Sequence, residues 1–116
     1  MTHSILLVGT ASLSHRAMAD TLRSLGHRTV EIDDIGLALG ALSAVKAEVL
    51  ILDRASADAE IDRVAAQARH KQRGLKIIAV VAGDLDALSG GAVDAVIHRD
   101  FFLQGIHGLI RELCDA

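Results

Sequence analysis

Ala47-Glu48-Val49-Leu50-Ile51-Leu52-Asp53-Arg54 carries the clearest structural signal in the chain. Val49 to Leu52 are all aliphatic, with no polar alternation, so both faces of the segment seek burial. A short apolar run of this kind reads as a central strand of a parallel sheet, covered by helices on both sides. The run ends in a carboxylate. In open parallel sheets, ligands bind beyond the carboxyl ends of the strands, which places Asp53 where such a fold does its chemistry.

Outward from that strand, the pattern repeats. Ser4-Ile5-Leu6-Leu7-Val8 is a second buried strand, stopped by Gly9-Thr10. Ser12 and Ser14 are candidate N-caps for a helix carrying Met18, Leu22 and Leu25 at helical spacing, with Gly26 as its stop. Arg28-Thr29-Val30-Glu31-Ile32 alternates, as a half-exposed edge strand does. Ile35, Ala38, Leu42 and Val45 mark one face of the next helix. After Asp53, the segment from Ala55 to Arg73 is helical, with Ile61, Val64 and Ala68 facing inward. Leu75 to Ala82 is another buried strand, the stretch from Gly83 to Ser89 holds at most a short helix, and Ala92 to Ile97 is the last strand. Asp100 is placed to cap a final helix with Phe102, Ile106, Leu109 and Leu113 on one side. Regular alternation of strand and helix predicts one α/β domain over residues 1–116, a parallel sheet wound on both faces.

Composition narrows the function classes. The chain has 116 residues, 51% hydrophobic, with Phe101 and Phe102 as its only aromatics, so the core is aliphatic. A formal net charge of −3 with interspersed signs gives no basic face for nucleic acid. Cys114 is the single cysteine, which excludes an internal disulfide and reads as a small hydrophobe. No apolar run approaches the roughly 20 residues that span a bilayer, and no signal core is visible, so a cytoplasmic protein is expected. His3, His15, His27, His70, His98 and His107 show no metal-ligand spacing, and no metal site is expected.

The chain resembles a response-regulator receiver domain, the CheY-like phosphoacceptor module of two-component signalling. Ser4-Ile5-Leu6-Leu7-Val8 is similar to that family's first strand, Glu48-Val49-Leu50-Ile51-Leu52-Asp53 to its third, and Ile78 to Ala82 and Gly91 to Ile97 to its last two. The resemblance implies a flavodoxin-like (βα)5 sheet in the order 2-1-3-4-5, here with a shortened fourth helix, and puts Asp53 at the phosphoacceptor position. It also implies a set of helpers that this sequence lacks. Two acidic magnesium ligands after the first strand are Gly9 and Thr10 here. The hydroxyl residue after the fourth strand is Val81, the lysine after the fifth is His98, the proline after that is Arg99, and the aromatic switch residue is Ala95. Without magnesium, an aspartyl phosphate gathers several negative charges around one carboxylate with nothing to offset them. Weak or absent magnesium binding and inefficient phosphorylation are therefore expected.

The residues themselves leave several readings of the site. Asp53 is a vestigial acceptor, a helix-start cap or a live acceptor, with Arg54 and His98 as candidate partners. Gly9 to Ser12 is either a turn with an N-cap or a short anion site. Asp33-Asp34 is either a turn and helix cap or a source of stray carboxylates for the site. Phe101, Leu103 and Ile110, off the main stripe of the last helix, form a candidate interaction surface.

The expected function is that of a stand-alone degenerate receiver, not an enzyme, that signals through protein–protein contact. Its partner would be a histidine kinase, a phosphotransfer protein or another regulator, or a second copy bound through the last strand and last helix. One alternative is a phosphorylatable receiver using Asp53 with unusual helpers such as Asp33 or Asp34. Another is a cobalamin- or nucleotide-type binding domain on the same frame, using Gly9 to Ser14 and Gly90-Gly91.

Overall fold

A computed structural model describes residues 3–9, 13–44, 46–53, 59–81 and 93–114. The elements are β1 (Ser4–Gly9), α1 (Leu13–Ser24), β2 (Arg28–Ile32), α2 (Ala38–Ala44), β3 (Val49–Asp53), α3 (Ala59–Lys71), β4 (Lys76–Val81), β5 (Ala95–His98) and α4 (Phe102–Cys114). Short 3-10 turns over Ile35–Leu37 and Arg99–Phe101 lead into α2 and α4. The predicted short helix between β4 and β5 lies outside the described residues.

All five strands are parallel, in the order β2-β1-β3-β4-β5. This is the predicted doubly wound sheet. β3 is buried along its whole length, because helices cover it on both faces. Strand alternation sends Leu6, Val8, Leu50, Leu52, Ile77, Ala79 and Val81 to one face. There they meet Ala38 and Leu42 of α2 and Val64, Ala65 and Ala68 of α3. The other face carries Ile5, Leu7, Val49, Ile51, Ile78 and Val80 against Met18 and Leu22 of α1 and Phe102, Ile106 and Ile110 of α4. Each fully buried large apolar side chain contributes about 1.5–3 kcal/mol of transfer free energy, so two mainly aliphatic layers, with Phe102 as their one buried aromatic among the described residues, hold the domain.

β2 is the exposed edge that its alternation predicts, with Val30 on the outer side. Arg23 of α1 pairs with Glu31 of β2 at 3.1 Å. α1 ends as expected at Gly26, whose φ of 94° is open to glycine at little cost. His27 N–H donates to Leu22 carbonyl and Gly26 N–H to Arg23 carbonyl, the paired bonds of a Schellman cap. At the other edge, the Asp94 carboxylate accepts from the Ile77 backbone at 2.7 Å and pairs with Arg69 of α3 at 2.6 Å, fastening the start of β5.

The helices differ from expectation in three places. Ile110, expected on an interaction surface, is fully buried beside Phe102 and Ile106. The three residues are four apart and form the most deeply buried ridge of α4, with Leu109 and Leu113 of the expected stripe partly buried beside it. Asp100 does not cap α4: the His98 side chain accepts from Asp100 N–H and caps the 3-10 turn ahead of it. Ser14 likewise sits inside α1 and is not its N-cap. Among the described residues, no helix is long and apolar enough to cross a membrane.

Candidate functional site

The carboxyl ends of the strands hold the one buried carboxylate among the described residues, Asp53. It continues the alternation of Val49 and Ile51, so its side chain lies on the α1–α4 side of the sheet. That side chain is 2% exposed. An isolated charge so deprived of water needs a partner. The partner is Arg99, whose guanidinium donates to Asp53 Oδ1 at 2.7 Å.

Sheet register explains how Arg99 gets there. Asp53 lies level with Val80, and Val80 with Ile97. Two residues beyond Ile97, and on the same face, the chain reaches Arg99. Neighbouring strands lie about 4.8 Å apart, so a long arginine side chain is needed to cross the two intervals back to β3. Arg99 Nε is buried with no hydrogen-bond partner, which leaves the terminal nitrogens to serve Asp53.

On the opposite side of Asp53, β1 presses close. Gly9 is paired with Asp53 in the sheet. A Cβ at Gly9 would fall 2.8 Å from the Asp53 carbonyl oxygen, 2.9 Å from Asp53 Cβ and 3.1 Å from His15 Nδ1. The strands therefore meet here at a separation that admits no side chain. His15, from the first turn of α1, is buried above this contact, with Nε2 3.5 Å from Glu31 Oε1.

The other sequence candidates take different places. Val81 is fully buried in the α2–α3 layer, on the face away from Asp53, and its isopropyl group donates nothing. His98 turns to its own 3-10 segment: Nδ1 accepts from Asp100 N–H at 3.1 Å, and the ring meets Phe101 edge-on at 6.1 Å. Ala95 opens β5 opposite Ile78. Asp34 makes a local turn, its Oδ1 accepting from Gly36 N–H at 2.8 Å, and Asp33 is exposed. Neither joins Asp53. Thr10, Ser12, Arg54 and Gly90-Gly91 lie outside the described residues. Phe101 and Leu103 are exposed, at 61% and 59%.

Sequence reasoning noticed Arg99 as a departure from the family pattern and did not assign it to Asp53. A readable signal was present: counting alternation from Ile97 puts residue 99 on the face that Asp53 occupies.

A cavity of about 580 Å3 opens at the other pole, among the amino ends of the strands, lined in part by Lys46, Gln72, Arg73, Lys76 and Cys114. Lys46 and Arg73 each follow a helix end, of α2 and α3, where positive charge offsets the carbonyl ends of the helix. Those ends account for the two cations, and the cavity is remote from Asp53.

No family model matches the chain, and no curated protein matches it in sequence. Solved structures do match. The receiver domain of a sensor histidine kinase from Pseudomonas aeruginosa, described with magnesium in its active-site cleft, aligns over 100% of both chains with a TM-score of 0.84 at 19% identity. The response regulator TrrA of Thermotoga maritima, in complex with magnesium and beryllofluoride, aligns over 96% of this chain and 98% of its own, with a TM-score of 0.82 at 21% identity. Another Thermotoga maritima response regulator covers 100% of both chains at 15% identity, also with a TM-score of 0.82. Likeness at such identities speaks for the backbone: the chain has the CheY-like receiver fold, a flavodoxin-type sheet with Asp53 at the end of its middle strand.

Proposed function

We propose that this chain is an atypical receiver that works in two-component-type signalling by protein–protein contact, with Asp53 held by Arg99 in place of a magnesium-dependent phosphoryl switch. The observation that carries the reading is the 2.7 Å ion pair between Arg99 and the buried Asp53. An internal guanidinium engages Oδ1 of that carboxylate and competes there with a phosphoryl donor or a divalent ion. Magnesium takes hard oxygen ligands, several of them. Beside Asp53 the first strand offers Gly9, where the clash with Asp53 leaves no room for a carboxylate. The described residues do not fit the ion.

The ion pair therefore favours a fixed arrangement at the site and a fixed shape at the surface. Phe101 and Leu103, exposed at the start of α4, are the contact we assign to a kinase, a phosphotransfer protein, another regulator or a second copy of this chain.

The test is incubation with acetyl phosphate, or with beryllofluoride and magnesium, read by intact mass and by amide shifts. No stoichiometric adduct is expected on the wild type. A stoichiometric adduct that disappears in Asp53→Ala would establish the rival reading, a phosphorylatable receiver. Arg99→Ala extends the test: it frees the carboxylate, and an adduct gained only there identifies Arg99 as the block.

A further inference from the structure

Three histidines far apart in sequence meet at the amino end of the sheet, the pole opposite Asp53. His3 precedes β1, His27 precedes β2, and His107 lies on α4. The His3 and His27 rings stack at 5.5 Å with 27° between their planes, and His27 and His107 lie 6.1 Å apart. His3 and His27 are buried, at 5% and 3% exposure. We propose that the His3–His27–His107 cluster is an acid-release latch, holding α4 to the starts of β1 and β2 only while His27 is neutral.

The hydrogen bonds define the neutral state. His27 Nδ1 accepts the backbone N–H of His3 at 3.2 Å, so Nδ1 carries no proton and Nε2 does. That Nε2 is buried with no hydrogen-bond partner. A proton arriving from solvent must add at Nδ1, where it faces the His3 N–H. Two donors then oppose each other, and the bond that seats the start of β1 on His27 is lost.

The surrounding charges leave the imidazolium poorly compensated. The nearby acid is Glu48, ahead of β3, and its carboxylate is already committed: Oε2 to His3 Nδ1 at 2.9 Å and Oε1 to Ser4 N–H at 3.2 Å. Arg28 at the start of β2 acts on the same Glu48. From α4 comes His107, with Arg111 one turn further along, and neither supplies a carboxylate. Burial, then the His3 and His107 rings, then the chain's amino group hold the His27 imidazole below the ordinary 6.5, against a smaller upward pull from Glu48. A forced charge at His27 is relieved by parting the rings, which moves α4 away from the strand starts.

Ring-selective NMR of the full chain, combined with amide hydrogen exchange, tests it between about pH 7.5 and pH 5.5. At the upper end, nitrogen shifts should identify His27 as the Nε2–H form. On acidification, protection at the His3 amide and along residues 106–113 should fall about tenfold or more while β3 and β4 keep theirs. His27→Asn offers an acceptor oxygen near the place of Nδ1 but takes up no proton, and its α4 protection should stay constant over the range. His107→Gln is the second variant: acid should still release the His3 amide but affect α4 less. The latch is overturned if wild-type His27 protonates with His3 and α4 protection intact, or if both variants lose α4 protection at the wild-type pH. Phosphodonor reactivity at Asp53 is read separately, so failure of one proposal leaves the other standing.

Discussion

Gly9 and Asp53 lie level in neighbouring strands, and the contact between them shapes the site as much as the carboxylate does. Any side chain at Gly9 meets Asp53 backbone and Cβ inside van der Waals distance, and neither atom can swing aside. Restoring an acid there should not restore a metal site. Gly9→Asp is expected to lower stability by about 1–3 kcal/mol, from strand displacement and from two carboxylates in contact. Urea denaturation measures the loss, and a magnesium titration followed by amide shifts should show no new binding. A variant with the wild-type midpoint and a saturable magnesium response would mean that the strands part freely. Arg99 supplies the complementary half of the site, a cation carried by the chain itself and able to span from the end of β5 to β3.

Among the elements, α4 divides most clearly between holding the fold and presenting a surface. Phe102, Ile106 and Ile110 form its buried ridge, and Leu103 projects outward, next to Phe101 in the turn before it. Ile110→Ala removes methylenes from a packed layer and should cost about 2–5 kcal/mol, whereas Leu103→Ala should stay within about 0.5 kcal/mol. Chemical denaturation of the two variants side by side makes the comparison. Equal losses would mean that α4 is rotated from the orientation described here. Burial of Ile110 was hard to read because Leu109, Ile110 and Leu113 are all apolar. Helical periodicity offers more than one stripe, and the tilt of the helix on the sheet selects among them.

For the molecule as a whole, two shifted groups at the amino end give acid sensitivity of one sign. The His27 imidazole is held below 6.5 in the folded state, mainly by burial, so the unfolded chain binds the proton more readily. Its contribution is present above 6.5 and is lost as pH falls through that value toward the lower folded one. The Glu48 carboxyl is held below 4.5, chiefly by its hydrogen bond to His3. Its contribution is present above 4.5 and is lost as pH falls toward the lower folded value. Thermal midpoints measured from about pH 8 down to about pH 3 should therefore fall in two stages, the upper one missing in His27→Asn. A midpoint that rises on acidification through the upper stage would contradict the His27 assignment.

Much of the architecture was written in local pattern. The two-faced runs of β1, β3 and β4, the edge alternation of β2 and the glycine stop at Gly26 act over a few residues, and each is legible in the sequence alone. Asp53 at the end of the middle strand followed from the same runs. The meetings between distant segments came only with packing: Arg99 with Asp53, Gly9 against Asp53, and His3, His27 and His107 in one cluster. Periodicity sets the face of an element on which a residue lies. Strand register, the closeness of two strands and the seat of a helix on the sheet set which residue stands across from it, and those depend on the packing of the whole layer.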